Sequence, residues 1–477
     1  ILHTVTAGIS HEMSNTELEA MICSNANIGT QNLPKPTFYG YKRLPYVDRA
    51  RVLTGLLIGS SGGNDAKSQA IFNSCLGALS TAFSSLCQAL SNKRVSSTDI
   101  KAKEMASLCV ELYGGVARAS DMCAEPQRIP EFLTPSLGHL SGLMFFYAQE
   151  LSICESILRF FRDYAERCII SLNNEQSVTL FSASSDLLRE YSSFHCSEKR
   201  LIPSQSTFQS NAEEEQTFSD VLCAIQLLVH LGTKDFIDEC DNGVDSNQIT
   251  DVVLYGLQQI LPLMSQGLLQ FPKLCTNFFS LVGFTMDTYS AKVCTLPYNL
   301  FSALLDSLLF GMSHTDLFVA KSSLAGISSL AWEHINSKSP LPYLASSTAT
   351  NHHHHYHCTT NGNINDNLID KCTSRLMKEV ILQPIIWDRL EAASMALLPL
   401  IVLDMQRFAA LANGIVAQQD PEKVARMQAS LSKLIDPTVV GMMSGNAMGL
   451  DGRKNRIKFK NSCEVFVKDL HSFMLIV

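Results

Sequence analysis

The sequence predicts an all-α protein whose helices pair and stack into an α-solenoid, a superhelix that lengthens without thickening. Three observations carry that expectation. At 477 residues the chain exceeds what one ordinary core holds, because single cores stop growing near ~250–300 residues. Apolar residues recur at three- and four-residue spacing almost throughout, and sustained alternation of period two is scarce. The predicted helices come in pairs of roughly 40–50 residues, close to the period of about 40–47 that marks HEAT and armadillo repeats. HEAT-like helix pairs are therefore the expected unit. One pair cannot bury its own apolar face, so stacked neighbours must supply the missing contacts.

Each stretch of the chain fits this scheme in turn. Residues 1–47 hold Pro34 and Pro36 and little periodicity, and read as a partly disordered leader. Ile1 stands where a start methionine is expected, so the natural beginning is expected to lie outside the sequence. Helical repeats are expected over 48–196, including a helix over Ser152–Leu172. Residues 197–212 are polar and read as a linker. Repeats resume over 213–336, with an acidic loop at 235–250.

In the later repeats, Val253, Leu257, Ile260, Leu261 and Met264 line one helix face, and Leu300, Leu304, Leu305 and Leu308 line another. After Gly311 the spacing continues through Leu317, Ala320, Leu324, Ile327 and Leu330. Residues 337–366 are low in complexity, with His352–His355, Tyr356 and His357, and read as a His/Ser/Thr loop between helices. The C-terminal repeats fill 367–477, with one apolar run over Met395–Phe408. Punctuation agrees. Pro297 fits a first helical position, and Asp420-Pro421 reads as an N-cap followed by proline. Gly311 and Gly414 fall near predicted helix ends, where a left-handed residue is wanted.

Composition excludes several classes of function. The chain is 46% hydrophobic and 17% charged, with mean hydropathy +0.09. The longest apolar run, Met395–Leu403, is nine residues and contains Pro399, far below the ~20 of a membrane span. No membrane and no secretory signal are expected. Of fifteen cysteines no two form a CxxC, whereas zinc and thioredoxin-like sites place two ligands within ~2–4 positions. Cys75, Cys109, Cys154, Cys223 and Cys275 sit among apolar residues, where a free thiol acts as a small hydrophobe. An odd total without a secretory signal points to a reducing compartment, cytosol or nucleus.

Charge is unevenly distributed. The net is −8, yet Glu213–Asp251 alone carries ten acids against Lys234, a net of −9. Glu213, Glu214, Glu215, Asp235, Asp238 and Glu239 lie in that stretch. A basic cluster near the end comprises Arg453, Lys454, Arg456, Lys458 and Lys460. Phosphate binding needs a broad basic face, so nucleic acid is not expected as a partner. Basic protein surfaces are.

Motifs that could carry catalysis are incomplete. Gly59-Ser60-Ser61-Gly62-Gly63 matches the nucleophile elbow of α/β-hydrolases, which would make Ser61 a nucleophile, but that motif needs a parallel sheet in a chain of helices. The same stretch ends in Ala66-Lys67-Ser68 like a phosphate loop, with Ser61 and Ala66 where glycines must let the backbone wrap the phosphates. Asp238–Asp245 resembles the start of a calcium loop, but Cys240 takes the third position and Ile249 stands where a bidentate Glu belongs. His352–His357 with Cys358 could attract a transition metal but lacks a scaffold to fix geometry. No catalytic residue, metal site or cofactor is expected.

From about residue 212 onward the sequence resembles the exportins of the importin-β/karyopherin family. The residues that carry this are Ala212–Gln216 (AEEEQ), Lys234–Asp238 (KDFID) and above all Asp251–Gly256 (DVVLYG), continued by Ile260–Gln266 (ILPLMSQ), Leu268, Leu269, Phe271, Pro272, Leu274 and Cys275. Leu296-Pro297, Leu300-Phe301, Gly311-Met312, Gln418–Pro421 (QQDP) and Asp451–Lys454 (DGRK) extend the series over more than half the chain. The resemblance implies a nuclear export receptor that shuttles between nucleus and cytoplasm. Its implied partners are Ran in its GTP form, a basic protein cargo such as the hypusine-bearing translation factor 5A, and nuclear pore proteins.

On that footing Glu213–Glu215, Asp235, Asp238 and Glu239 are the expected cargo-binding residues. Arg453, Lys454 and Arg456 are expected to make a polar contact to Ran or an intramolecular closure. The repeats that carry the principal Ran contact in karyopherins are expected to precede this sequence. The alternative reading, a HEAT-repeat scaffold for a non-transport assembly, shares the fold and lacks only these blocks.

Overall fold

A computed structural model of the chain describes residues 44–63, 66–195, 217–238, 246–264, 267–337, 368–382, 387–435 and 450–473. Among them every regular element is a helix, and the helices pack in repeat-like order as an all-α solenoid of HEAT-like pairs. Two compact units divide the chain, 1–274 and 275–477.

The first unit holds α1 (Tyr46–Ser61), α2 (Ala66–Ser91), α3 (Ile100–Ala119), α4 (Arg128–Leu133), α5 (Leu137–Phe146), α6 (Leu151–Cys168), α7 (Asn174–His195), α8 (Ser219–Asp238) and α9 (Ser246–Ile260). Helices α1, α3, α6 and α8 lie side by side as one layer, and α2, α5, α7 and α9 form the other. The core runs between the layers. Tyr113 on α3 sits there with ring centroids 4.9 Å from Phe83, 5.7 Å from Phe132 and 6.2 Å from Phe160. Each such side chain removed from water stabilises the stack by about 1.5–3 kcal/mol. Where α1 crosses α3, Gly115 brings the backbones together: a Cβ there would stand 2.7 Å from the carbonyl oxygen of Ala50. Thr54 on α1 donates to the Gly115 carbonyl at 2.7 Å.

The second unit holds α10 (Pro272–Thr288, which begins just ahead of the boundary), α11 (Ser290–Val293), α12 (Tyr298–Met312), α13 (Leu317–Asn336), α14 (Leu368–Leu382), α15 (Trp387–Leu403), α16 (Met405–Ala417), α17 (Pro421–Leu434) and α18 (Leu450–Phe473). Here α13, α15 and α18 form one layer, paired respectively with α12, α14 and α17.

Side-chain caps start several helices. Asp99 accepts from the amides of Lys101 and Ala102 to open α3, and Asp316 accepts from Phe318 and Val319 to open α13. Each cap contributes about 1 kcal/mol by satisfying amides that have no partner within the helix. Asp420 and Pro421 occupy the N-cap and first helical positions of α17.

Several expectations need correction. The run Met395–Phe408 is two helices, α15 and α16, bent by 116° at a break. Asp404 makes that break by accepting from the Arg407 amide at 2.9 Å to cap α16. Gly311 is not a left-handed terminator, since no glycine among the described residues has positive φ. It lies in the last turn of α12, where a Cβ would stand 2.1 Å from Ser323 Oγ and 2.4 Å from the Phe279 ring, so close packing requires it. Gly414 lies inside α16 with nothing near its missing Cβ. Helix takes both ends of the stretch read as an acidic loop, because α8 runs through Asp238 and α9 starts at Ser246. By length and mean hydropathy (1.3) α2 would pass for a membrane span, which the run-length reading missed. It packs Phe72, Cys75, Leu79, Phe83, Leu86 and Leu90 into the core, as a core helix of the stack does.

Among non-glycine described residues, Lys93 alone has a left-handed backbone, φ 54°. It closes α2, with its amide bonded to the Leu90 carbonyl and that of Arg94 to Ala89. A side chain in that conformation costs about 1–2 kcal/mol. The described cysteines are free thiols, all buried except the half-buried Cys87.

Candidate functional site

The hydrolase reading of Ser61 meets a helix rather than a strand. Val52–Ile58 lies within α1, and Ser61 ends that helix with its hydroxyl donating to the Ile58 carbonyl and accepting from the Ala124 amide. Both hydrogen bonds are structural, and no imidazole is among its partners. Cys275 Sγ lies 4.0 Å from His314 Nε2, but burial pushes the thiol up to about 11, so the pair holds no thiolate. Among the described residues no cluster of three His, Cys, Asp or Glu could hold a metal ion. Neither Ser61 nor Cys275 is thus set up as a nucleophile.

The predicted acidic residues fall largely outside it. Glu213, Glu214, Glu215 and Glu239 are not among the described residues, nor is the His352–His357 run. Asp235 and Asp238 lie in the last turn of α8.

Several charges within the first unit are engaged between neighbouring helices. Arg118 on α3 donates to the Asp163 carboxylate of α6 at 2.8 Å, and Arg162 donates to its other oxygen at 3.0 Å while reaching Gln226 of α8. About two turns away, Glu111 of α3 accepts from Ser156 and Arg159 of α6, and Arg159 also pairs with Glu155, which accepts from Ser219 of α8. Together these bonds link three successive helices of one layer, and they fix the register of the stack.

The second unit presents charge differently. A cleft of about 380 Å³ opens where α10, α11, α13, α15 and α18 meet. Asp287, Glu333, Trp332, Met395 and Arg456 line it. Glycine makes the approach possible: Cβ atoms at Gly283 and Gly326 would lie 3.2 Å from Ser322 Cβ and 3.0 Å from Leu308. Ser329 donates to Asp287 at 3.1 Å and Ser290 to Glu333 at 3.3 Å. No cation among the described residues pairs with either carboxylate. The cleft therefore offers two hydroxyl-supported carboxylates beside an indole, a geometry suited to an incoming cationic side chain.

Of the predicted basic residues, Arg456 lines this cleft, whereas Arg453 and Lys454 are exposed on α18. Lys460 pairs with Glu391 at 2.8 Å. The exposed side chains described on α18 are Arg453, Lys454, Ile457, Lys458, Asn461, Val465, Lys468 and Ser472, four cations and no carboxylate. Lys468 stacks over the exposed Trp387 ring at 4.9 Å. Sequence reasoning missed Asp287 and Glu333. Each is one acid on a predicted helix, and no local spacing joins them.

A family model described as Exportin-4 matches residues 61–475. One solved structure, a crystal structure of an engineered protein, aligns over 98% of this chain and 99% of its own, at 13% identity and a TM-score of 0.38. That likeness is too slight to bear on fold or function.

Proposed function

The chain belongs to the exportin-4 family of karyopherin-type transport receptors, and from that premise we propose that it binds protein cargo together with Ran in its GTP form and carries it out through the nuclear pore. The family match over most of the chain is the observation that carries this reading. The receptor acts by binding; the GTP hydrolysis that releases cargo in the cytoplasm is Ran's. It shuttles between nucleus and cytoplasm and makes contacts with nuclear pore proteins on the way.

The proposed cargo is a basic protein, with translation factor 5A as its type. Two features support this. The stretch containing Glu213–Glu215, Asp235, Asp238 and Glu239 has a net charge of −9, which would steer a cationic surface and raise its association rate. The cleft adds Asp287 and Glu333, carboxylates without a cation among the described residues. Arg453, Lys454 and Arg456 on α18 are proposed to make a polar contact to Ran or an intramolecular closure.

Binding of the full chain to Ran and to translation factor 5A, measured with Ran loaded with a non-hydrolysable GTP analogue or with GDP, tests the reading. Export requires GTP-dependent binding in which Ran and cargo raise each other's affinity by the same factor. Equal binding in both nucleotide states would remove the export function. A variant with Asp287→Asn and Glu333→Gln should lose roughly tenfold, ~1.4 kcal/mol, in cargo affinity with Ran binding intact. Unchanged affinity moves the cargo off the cleft. Charge reversal at Glu213–Glu215 that leaves the salt dependence of cargo binding untouched removes those residues from the site.

A further inference from the structure

We propose that the turn between α2 and α3 is a phosphorylation site, with Ser96 the acceptor for a serine/threonine kinase that selects basic residues just ahead of its target. The proposal is independent of the transport reading.

The turn runs from Asn92 to Asp99, between the end of α2 and the start of α3. Lys93, Arg94 and Ser96 are all exposed. The two cations stand three and two residues before the serine, the spacing at which a carboxylate-lined kinase cleft pairs with basic side chains. Neither cation has a side-chain partner among the described residues, so both are available to be read. The backbone at Lys93 supplies a separate observation. It holds the left-handed conformation, φ 54°, which glycine would occupy without strain. Keeping lysine there is accounted for if its side chain is used by something outside the fold.

Ser96 is accessible in bonding terms as well. Its hydroxyl meets Thr98 Oγ1 at 2.8 Å and accepts from the Thr98 amide at 3.2 Å, and both contacts lie within the turn. To enter a kinase cleft the segment must extend. The backbone bonds this breaks are local: Lys93 to Leu90, Arg94 and Val95 to Ala89, and Asp99 to Ser96. Ser97 beside it is half-buried and less accessible.

In the reaction Ser96 Oγ attacks the γ-phosphorus of magnesium ATP, the bond from that phosphorus to the bridging oxygen breaks, and ADP leaves. The hydroxyl proton passes to the carboxylate base of the kinase. The phosphate brings a charge of about −2 to a turn bearing Lys93 and Arg94, next to Asp99, whose carboxylate already caps the first amides of α3.

The test incubates the full chain with a kinase of basic-residue specificity and magnesium ATP, and locates phosphate by mass spectrometry. The expected result is incorporation at Ser96, abolished by Ser96→Ala. Lys93→Gly should preserve or raise the melting temperature while lowering the phosphorylation rate at least about tenfold, and Arg94→Ala should lower it similarly. No incorporation in the turn, phosphate on Ser97 or Thr98 instead, or undiminished rates in both basic-residue variants would overturn the proposal.

Discussion

Ser328 on α13 donates a 3.0 Å hydrogen bond to the carbonyl of Met395 on α15, and Pro399 stands four residues further along the same helix. Proline has no amide proton, so the donor four residues on that would ordinarily serve the Met395 carbonyl is missing from α15. The neighbouring helix supplies the donor. A defect in one helix thus becomes a link to the next, at the wall of the acidic cleft.

Ser328→Ala should therefore cost about 1–2 kcal/mol, the penalty of leaving an acceptor unmade in a half-buried place. In a Pro399→Ala background the α15 backbone can satisfy the carbonyl itself, and the same substitution should cost only a few tenths. A double-mutant cycle in urea checks this. Equal costs in both backgrounds would dissociate the serine from the proline.

Asp163 balances Arg118 and Arg162 at once, and its side chain is only 5% exposed. Removing it leaves two guanidinium groups, each about a quarter exposed, facing each other without a counter-charge. Asp163→Ala is expected to destabilise the first unit by about 2–3 kcal/mol, below the ~3–5 of a fully buried pair because solvent screens the arginines. Urea denaturation followed by near-ultraviolet dichroism checks the magnitude.

Gly115→Ala should be more damaging than its one added methyl suggests. The new Cβ would stand 2.7 Å from the Ala50 carbonyl oxygen, a backbone atom that no rotamer change can move aside. Helices α1 and α3 must separate, and a loss of about 3 kcal/mol is expected. Gly414→Ala, with open space at its Cβ inside α16, should be neutral or stabilising by up to ~1 kcal/mol. The two melting temperatures should move in opposite directions, or only the first should move.

Burial pushes the thiol of Cys75 up to about 11, and those of Cys87, Cys294 and Cys372 up to about 12. Only thiolate reacts, and an ordinary cysteine has a pKa near ~8.5, so at pH 8 these four should alkylate at least about a hundredfold more slowly in the folded protein than in urea. Mass spectrometry of iodoacetamide-treated protein reports each one. The sign for stability follows: the folded state keeps protons that the unfolded chain releases, so this contribution is full below about pH 8.5 and falls as pH rises through 11 to 12. Alkaline pH should lower the melting temperature.

Much of this architecture is local information. Apolar spacing fixed helices such as Leu317–Asn336, because burying one stripe of a 3.6-residue helix is the only way those side chains leave water together. Asp420-Pro421 marked a helix start because proline suits the first helical position, where no amide proton is needed; the Asp420 carboxylate caps no amide and pairs with Lys423 instead. The burial of Cys75, Cys109, Cys154, Cys223 and Cys275 was legible from their apolar neighbours. Family membership was legible too, in short ordered blocks such as Asp251–Gly256.

Tertiary structure decided the rest. Nothing near Gly311 shows that its missing side chain makes room for Ser323 and Phe279, since those contacts come from two other helices. The break at Asp404 was hidden inside an apolar run whose period continues on both sides, and only the cap to Arg407 reveals it. The cleft joins Asp287, Glu333 and Arg456 from three helices, and a charge pattern read along the chain carries no trace of that meeting. The sequence by itself determined which segments are helices and which faces they bury, since both depend on neighbours within one turn. Which polar groups face one another across the stack depends on the crossing of helices far apart in the chain, and the structure alone settles it.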